Sequence, residues 1–184
     1  EQFDARLTRV HATVENMRAM PQPIIASVRG AAAGAGVSLM LACDLALVAD
    51  DAFFTLAYCH IGTSPDGGST YSLPRTVGMK KAMEIALLGD RFTAQDALDW
   101  GLINRIVPSA DLEAETDKLA ARLAKAAGRA NAEAKALLNA SWHNSLADQL
   151  DAEKAAFIRN TRTNDFYEGV SAFADKRKPD FKGN

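Results

Sequence analysis

The stretch from Ile24 to Asp44 constrains the fold more than any other, because it joins a buried strand to a buried helix through a turn of small residues. Its first residues are β-branched and follow two prolines, which is typical of a strand entered from an extended segment. From Gly30 to Gly36 no side chain is larger than a methyl group. A ligand or a second backbone can therefore approach the main chain of this turn closely.

The apolar run after Gly36 predicts a short buried helix that begins near Ala35. The N-terminus of such a helix has unpaired N–H groups and a partial positive charge, so it can bind an anion or stabilise a negative charge formed in a reaction. The alternative is a tight packing joint between strand and helix. Neither common phosphate motif is present: Leu39 stands where a dinucleotide fingerprint has its third small residue, and no Gly-Lys-Ser/Thr follows.

Composition narrows the class of protein. The chain has 184 residues, of which 48% are hydrophobic, which is sufficient for the core of one domain or of the larger part of one. A net charge of −2 and the absence of a long apolar run argue against nucleic acid and membrane partners. Cys43 and Cys59 stand among apolar residues, which predicts reduced core thiols and a reducing, cytoplasmic compartment. We expect no metal and no separate cofactor.

Hydrophobic periodicity predicts an alternation of helices and strands that ends in a helical tail. The predicted helices cover Gln2–Ala19 (with one buried stripe containing Phe3, Leu7, Val10, Val14 and Met17), Met79–Leu88, Thr93–Trp100, Asp111–Ala126, Asn131–Trp142, Leu146–Thr161 and Asp165–Lys176. The predicted strands are Ile24–Val28, Asp44–Val48, Ala52–Leu56 and Ile103–Val107.

A loop rich in glycine, proline and short polar residues runs from Ala57 to Thr70. Within it Asp66 stands before two glycines and a helix start expected at Ser69 or Thr70. Its carboxylate is either a functional group or a helix cap or turn residue. His60 has two interpretations as well: it lines a pocket, or it is a hydrogen-bonded loop histidine.

Four motifs in order resemble the crotonase superfamily of acyl-CoA enzymes, also called the enoyl-CoA hydratase/isomerase family. They are PQPIIASVRGAAAGAGVSLMLACDLALVAD, IGTSPDGGSTYSLPRTVG, ALLGDRFTAQDALDWGLINRIV and EGVSAFADKRKPDF. The resemblance covers Pro23 to Phe181 and implies an α/β fold, a spiral of ββα units with a C-terminal helical region. Residues 1–108 would form the C-terminal part of the ββα core and residues 109–184 a helical trimerisation region, giving a homotrimer or hexamer.

The resemblance also gives the small-residue turn a role. Family members bind a coenzyme A thioester so that its carbonyl oxygen lies between two backbone N–H groups, an oxyanion hole. Ala35 matches one donor, and Gly34 beside it would contact the substrate. The second donor lies, in the family, upstream of Glu1, so the resemblance implies a chain that is N-terminally incomplete relative to the family.

The residue types at the catalytic positions distinguish the reactions that members of the family catalyse. Hydratases use two glutamates, and the matching positions here are Ser38 and Tyr58, which we assign to substrate binding. Asp66 matches the acid that isomerases carry in the pattern Pro-acid-Gly. The resemblance therefore favours an isomerase in which Asp66 moves a proton from C2 to C4 of an enolate.

Two alternatives stay open. Related dehalogenases have a nucleophilic aspartate at the position of Asp66, and Tyr58 would then form an aromatic wall. A chain without the glutamates is also compatible with a non-catalytic acyl-CoA-binding subunit. In each case Phe157 and Lys176 match positions where the family covers and charge-pairs coenzyme A, although Phe157 is equally compatible with core packing and Lys176 with a solvated basic face.

Overall fold

The strands form two three-stranded sheets, and the first four strands alternate between these sheets. The structure is a computed structural model that describes residues 2–184, with the backbone alone described at residue 2. The strands are β1 (Ile25–Val28), β2 (Ala31–Ala33), β3 (Leu45–Ala49), β4 (Phe53–Thr55), β5 (Phe92–Thr93) and β6 (Arg105–Val107). One sheet has the order β1-β3-β6 and is parallel throughout. In the other, β2 pairs parallel with β4, and β4 pairs antiparallel with β5. Each strand pair thus adds one strand to each sheet, which is the expected spiral of ββα units.

The helices account for most of the remaining chain. They are α1 (Gln2–Ala19), α2 (Ala35–Ala42), α3 (Ser69–Val77), α4 (Met79–Leu88), α5 (Ala94–Asp99), α6 (Leu112–Ala124), α7 (Gly128–Ala140), α8 (Leu146–Asn160) and α9 (Asn164–Ala174), with short 3₁₀ turns at Tyr58–Ile61 and Ser109–Asp111. The predicted helices and strands are all present, with ends shifted by a few residues. The prediction for α1 and α4 agrees with the structure at both ends.

The described residues form two units. The first contains the chain up to Arg18 and from Ile24 to Asp117, and the second contains Ala19–Pro23 and Lys118–Asn184. In the first unit, Leu47 and Val48 of β3 and Phe54 of β4 are fully buried. β3 reads as a continuous apolar run because a central parallel strand is covered on both faces.

Two details differ from the predictions. Part of the small-residue turn is the strand β2, which the sequence conceals because alanine has low strand propensity. The predicted buried stripe of α1 is at most half-buried, and only in its C-terminal part: Phe3 is 79% exposed and Leu7 38% exposed. Val10 and Val14 are half-buried because they lie over Gly67 and Gly68 of the loop.

The second unit is held together by polar contacts between its elements. Arg159 of α8 donates two hydrogen bonds to Glu133 of α7, at 2.7 and 2.8 Å. Asp165, which is buried at the start of α9, accepts hydrogen bonds from the backbone N–H groups of Lys182 and Gly183. The C-terminal residues are therefore tied to α9. The trimerisation role predicted for residues 109–184 stays a prediction.

A capping box forms the start of α5. The Thr93 hydroxyl accepts from the Asp96 N–H at 3.1 Å, and the Asp96 carboxylate accepts from the Thr93 N–H at 2.8 Å. We expect Thr93→Ala to lower the free energy of unfolding by about 0.5–2 kcal/mol, because it removes the side-chain acceptor at the N-cap. Urea denaturation followed by circular dichroism measures the effect, and Thr8→Ala on α1, which removes an exposed hydroxyl away from any cap, is the control.

Candidate active site

The small-residue turn ends at Gly34, which is the N-cap residue of α2 and has φ 50° and ψ −114°. This conformation is readily adopted only by glycine. The Gly34 N–H donates to the carbonyl of Thr55 at 2.9 Å, which fixes the turn to β4. The helix begins at Ala35 as predicted, and among the described residues no acceptor receives the N–H of Ala35 or Gly36. These groups are free to bind an oxygen of a ligand.

Tyr58 connects this turn to the loop that carries Asp66. A methyl group on Gly34 would lie 3.6 Å from Cζ of Tyr58, so the ring packs against the turn. The Tyr58 hydroxyl donates a hydrogen bond to Oδ1 of Asp66. Ala57, the residue before Tyr58, is in the left-handed region with φ 51°, an uncommon conformation for a residue with a side chain. The backbone is thus bent immediately before Tyr58.

The main chain of Asp66 is anchored by two buried serines. Its carbonyl accepts from the Ser38 hydroxyl at 2.8 Å and from the Ser69 hydroxyl at 3.0 Å. Gly67 follows with φ 60°, and a methyl group there would lie only 2.9 Å from Cβ of Ser38. Ser38 belongs to the first turns of α2, so the helix that begins at the small-residue turn also holds the Asp66 backbone in place.

The Asp66 carboxylate is not a helix cap. The N-cap residue of α3 is Gly68, and no side chain makes a capping hydrogen bond there. The interpretation of Asp66 as a cap is therefore wrong. Tyr58 holds Oδ1, whereas Oδ2 accepts no hydrogen bond from the part of the chain that the structure describes. The carboxylate is half-buried, with one oxygen held and the other available.

The partial burial of Tyr58 and its hydrogen bond to Asp66 change the pKa of the phenol. Burial and the hydrogen bond to Asp66 together raise the pKa of Tyr58 to about 12, against a smaller lowering by the Ser38 hydroxyl. The phenol is consequently protonated at neutral pH and acts as a donor. A donor of this kind stabilises an ionised carboxylate acceptor.

The structure brings together five of the residues predicted for the site. Gly34, Ala35, Ser38, Tyr58 and Asp66 all lie in the first unit and are linked by the contacts above. Sequence reasoning missed the hydrogen bond between Tyr58 and Asp66, which depends on tertiary structure, and it also missed the part played by Ser69.

Phe157 and Lys176 belong to the second unit, and their role in coenzyme A binding stays a prediction. Phe157 is 63% exposed, so the alternative of core packing is wrong, and its ring meets that of Phe166 edge-on at 6.4 Å between centroids. Lys176 is exposed and follows α9 with φ 54°.

Other predicted residues have structural roles. Nε2 of His60 lies 3.2 Å from the carbonyl of Gly89, which confirms the hydrogen-bonded loop histidine. Cys43 and Cys59 are free thiols, but both are only half-buried, so the prediction that they lie in the core is wrong. Among the residues described, no cluster of histidine, cysteine and acidic side chains is suited to a metal ion. None of the described helices combines the length and apolar character needed to cross a membrane.

Several named proteins are similar in sequence to this chain. The chain is 42% identical over 163 residues to a probable enoyl-CoA hydratase from Rhodobacter capsulatus, covering 89% of this chain and 63% of that protein. It is 38% identical to the 1,2-epoxyphenylacetyl-CoA isomerase of Escherichia coli, covering 92% of this chain and 65% of the relative. The chain thus spans just under two thirds of the length of these relatives.

Solved structures share the fold. The crystal structure of an enoyl-CoA hydratase from Polaromonas sp. JS666 superposes with a TM-score of 0.94 at 38% identity, covering 98% of this chain and 71% of that one. An enoyl-CoA hydratase from Bacillus anthracis gives a TM-score of 0.95 at 33% identity, covering the whole of this chain and 71% of its own. The family model described as enoyl-CoA hydratase/isomerase matches residues 4–184. The chain therefore belongs to the enoyl-CoA hydratase/isomerase family, the crotonase superfamily.

Proposed function

We propose that the protein is an acyl-CoA isomerase that moves a carbon–carbon double bond of an enoyl thioester through an enolate. The observation that carries this proposal is the Asp66 carboxylate, which is anchored through its own backbone, held by Tyr58 at Oδ1 and left available at Oδ2. The Ala35 N–H at the start of α2 supplies one donor for the thioester oxygen.

The reaction requires one acid/base group. Oδ2 of Asp66 takes a proton from C2, the electrons of that C–H bond form the enolate, and the negative charge moves to the thioester oxygen. The same proton is then returned at C4, and the double bond forms between C2 and C3. Atoms and charge balance with no second reactant, because an isomerisation consumes nothing.

A hydratase is the second candidate, because both hydratases and isomerases occur among the named relatives. Addition of water in the family employs two carboxylates. In this chain Ser38 occupies one of these two positions and Tyr58 occupies the other, so neither carboxylate is present there. Among the described residues, Asp66 is the one carboxylate bonded to this cluster. Use of Asp66 as a nucleophile, and binding of acyl-CoA without conversion, are the remaining alternatives.

A panel of 3-enoyl-CoA, 2-enoyl-CoA and halogenated aroyl-CoA thioesters tests the proposal, with products followed by mass and by thioester absorbance. We expect 3-enoyl-CoA to give the conjugated 2-enoyl-CoA at unchanged mass. In D₂O the product should contain on average less than one deuterium atom per molecule. In a fraction of turnovers the single carboxylate returns the abstracted proton before that proton exchanges with solvent. A mass gain of one water would identify a hydratase, and halide release would identify a dehalogenase. Binding without any conversion would contradict catalysis altogether.

A further inference from the structure

The residues at the two hydratase positions both contact Asp66. Ser38 donates to its carbonyl at 2.8 Å, and Tyr58 donates to its carboxylate. Ser38 is fully buried and Tyr58 is half-buried, so these hydrogen bonds form partly away from water. Of the two positions that match glutamates in hydratases of the family, one therefore holds the backbone of Asp66 and the other holds its carboxylate.

We propose that Tyr58 is a positioning residue for Asp66: its hydroxyl holds Oδ1 of the carboxylate, so that Oδ2 faces the reacting carbon atoms. This inference rests on the proposed function and goes further by assigning the residue that orients the acid/base group. Tyr58 does not itself touch the reacting carbons in this scheme.

Three features of the chain make this orientation possible. The terminal torsion of an aspartate side chain is soft, so a free carboxylate samples a broad range of directions. A hydrogen bond from a neutral phenol to a charged oxygen is strong enough to select one direction. Tyr58 reaches Asp66 because Ala57 bends the backbone before it, and because Gly34 leaves room for the ring.

The hydrogen bond persists through the catalytic cycle. When Oδ2 takes the substrate proton, Oδ1 becomes the carbonyl oxygen of a carboxylic acid and still accepts from the phenol. The phenol remains protonated at neutral pH, since burial and the hydrogen bond to Asp66 together raise the pKa of Tyr58 to about 12. Tyr58 thus orients the carboxyl group both when it acts as a base and when it acts as an acid.

Tyr58→Phe tests the proposal, because it removes the hydroxyl and keeps the ring against Gly34. We expect kcat for 3-enoyl-CoA to fall about 10- to 100-fold with KM nearly unchanged, as for the loss of a hydrogen bond to a charged group. The readout is the split between kcat and KM, because a role in packing alone would act through the ring that Tyr58→Phe retains and would leave kcat unchanged.

Two further variants separate this inference from the proposed function. Tyr167→Phe removes a hydroxyl from a solvent-exposed tyrosine in α9 and should leave kcat and KM unchanged. In the Asp66→Asn background, Tyr58→Phe should cause no further loss, because its effect acts through the carboxylate. A wild-type kcat in Tyr58→Phe, with Asp66→Asn inactive, would overturn the positioning role alone. Full turnover in Asp66→Asn would overturn the proposed function itself.

Discussion

Replacing Asp66 by Asn should lower kcat for 3-enoyl-CoA by about 10²- to 10⁴-fold, the range expected when a general acid/base is removed. The amide has nearly the same shape as the carboxylate, and its oxygen can still accept from Tyr58. The Asp66 backbone contacts to Ser38 and Ser69 do not depend on the side chain. The fold and the binding of a saturated acyl-CoA should therefore be unchanged, so the loss is confined to proton transfer.

Stopped-flow absorbance gives kcat, and isothermal titration calorimetry with a non-reacting acyl-CoA gives the dissociation constant. Asp51→Asn is the matched control, since Asp51 is an exposed aspartate in the turn between β3 and β4. It removes the same charge and should retain wild-type turnover. If Asp66→Asn turns over 3-enoyl-CoA at the wild-type rate, Asp66 is not the acid/base.

Replacing Gly67 by Ala should lower the free energy of unfolding by about 2–5 kcal/mol, as the sum of a left-handed backbone penalty and overpacking against α2. Gly67 has φ 60°, and the added methyl would lie 2.9 Å from Cβ of Ser38. Ser38 is buried in α2 and has no room to retreat. Relief of the clash would push the loop away from α2 and displace Asp66, so kcat should fall as well.

Urea denaturation measures the change in stability, and steady-state kinetics on the folded fraction measures the change in activity. Gly101→Ala is the control for backbone strain alone, because Gly101 also has a positive φ, of 77°, and its added methyl would have no atom within 4 Å. It should lower stability by about 1–2 kcal/mol and leave kcat unchanged. Equal effects of the two substitutions would show that contact with Ser38 does not constrain the loop.

Periodicity and turn signals predicted most of the elements because these are local properties of the chain. The Thr93–Asp96 capping box and the start of α2 at Ala35 are set by neighbouring residues, and the structure has both. β2 and β5 escaped prediction because each has two or three residues and is stabilised by pairing with β4, a partner distant in sequence. Strand pairing of this kind has no local sequence signal.

For the candidate site as well, the sequence identified individual positions but not the contacts between them. The resemblance identified Asp66, Ser38 and Tyr58 as the positions that distinguish reactions, but their mutual contacts depend on tertiary structure. The backbone twist at Ala57 that brings Tyr58 to Asp66 involves a residue type that normally avoids that conformation. The cap interpretation of Asp66 was wrong for a related reason: glycine at the N-cap of α3 left the carboxylate free for another partner.

The contact between Tyr58 and Asp66 also limits how the reaction of this protein can change. A glutamate in place of Tyr58 would put a second carboxylate beside the first, in a partly buried space where two like charges repel. The substitution would also remove the phenol that donates to Oδ1 of Asp66. A change of residue 58 toward the glutamate of a hydratase would therefore remove the group that holds the acid/base of the proposed isomerase.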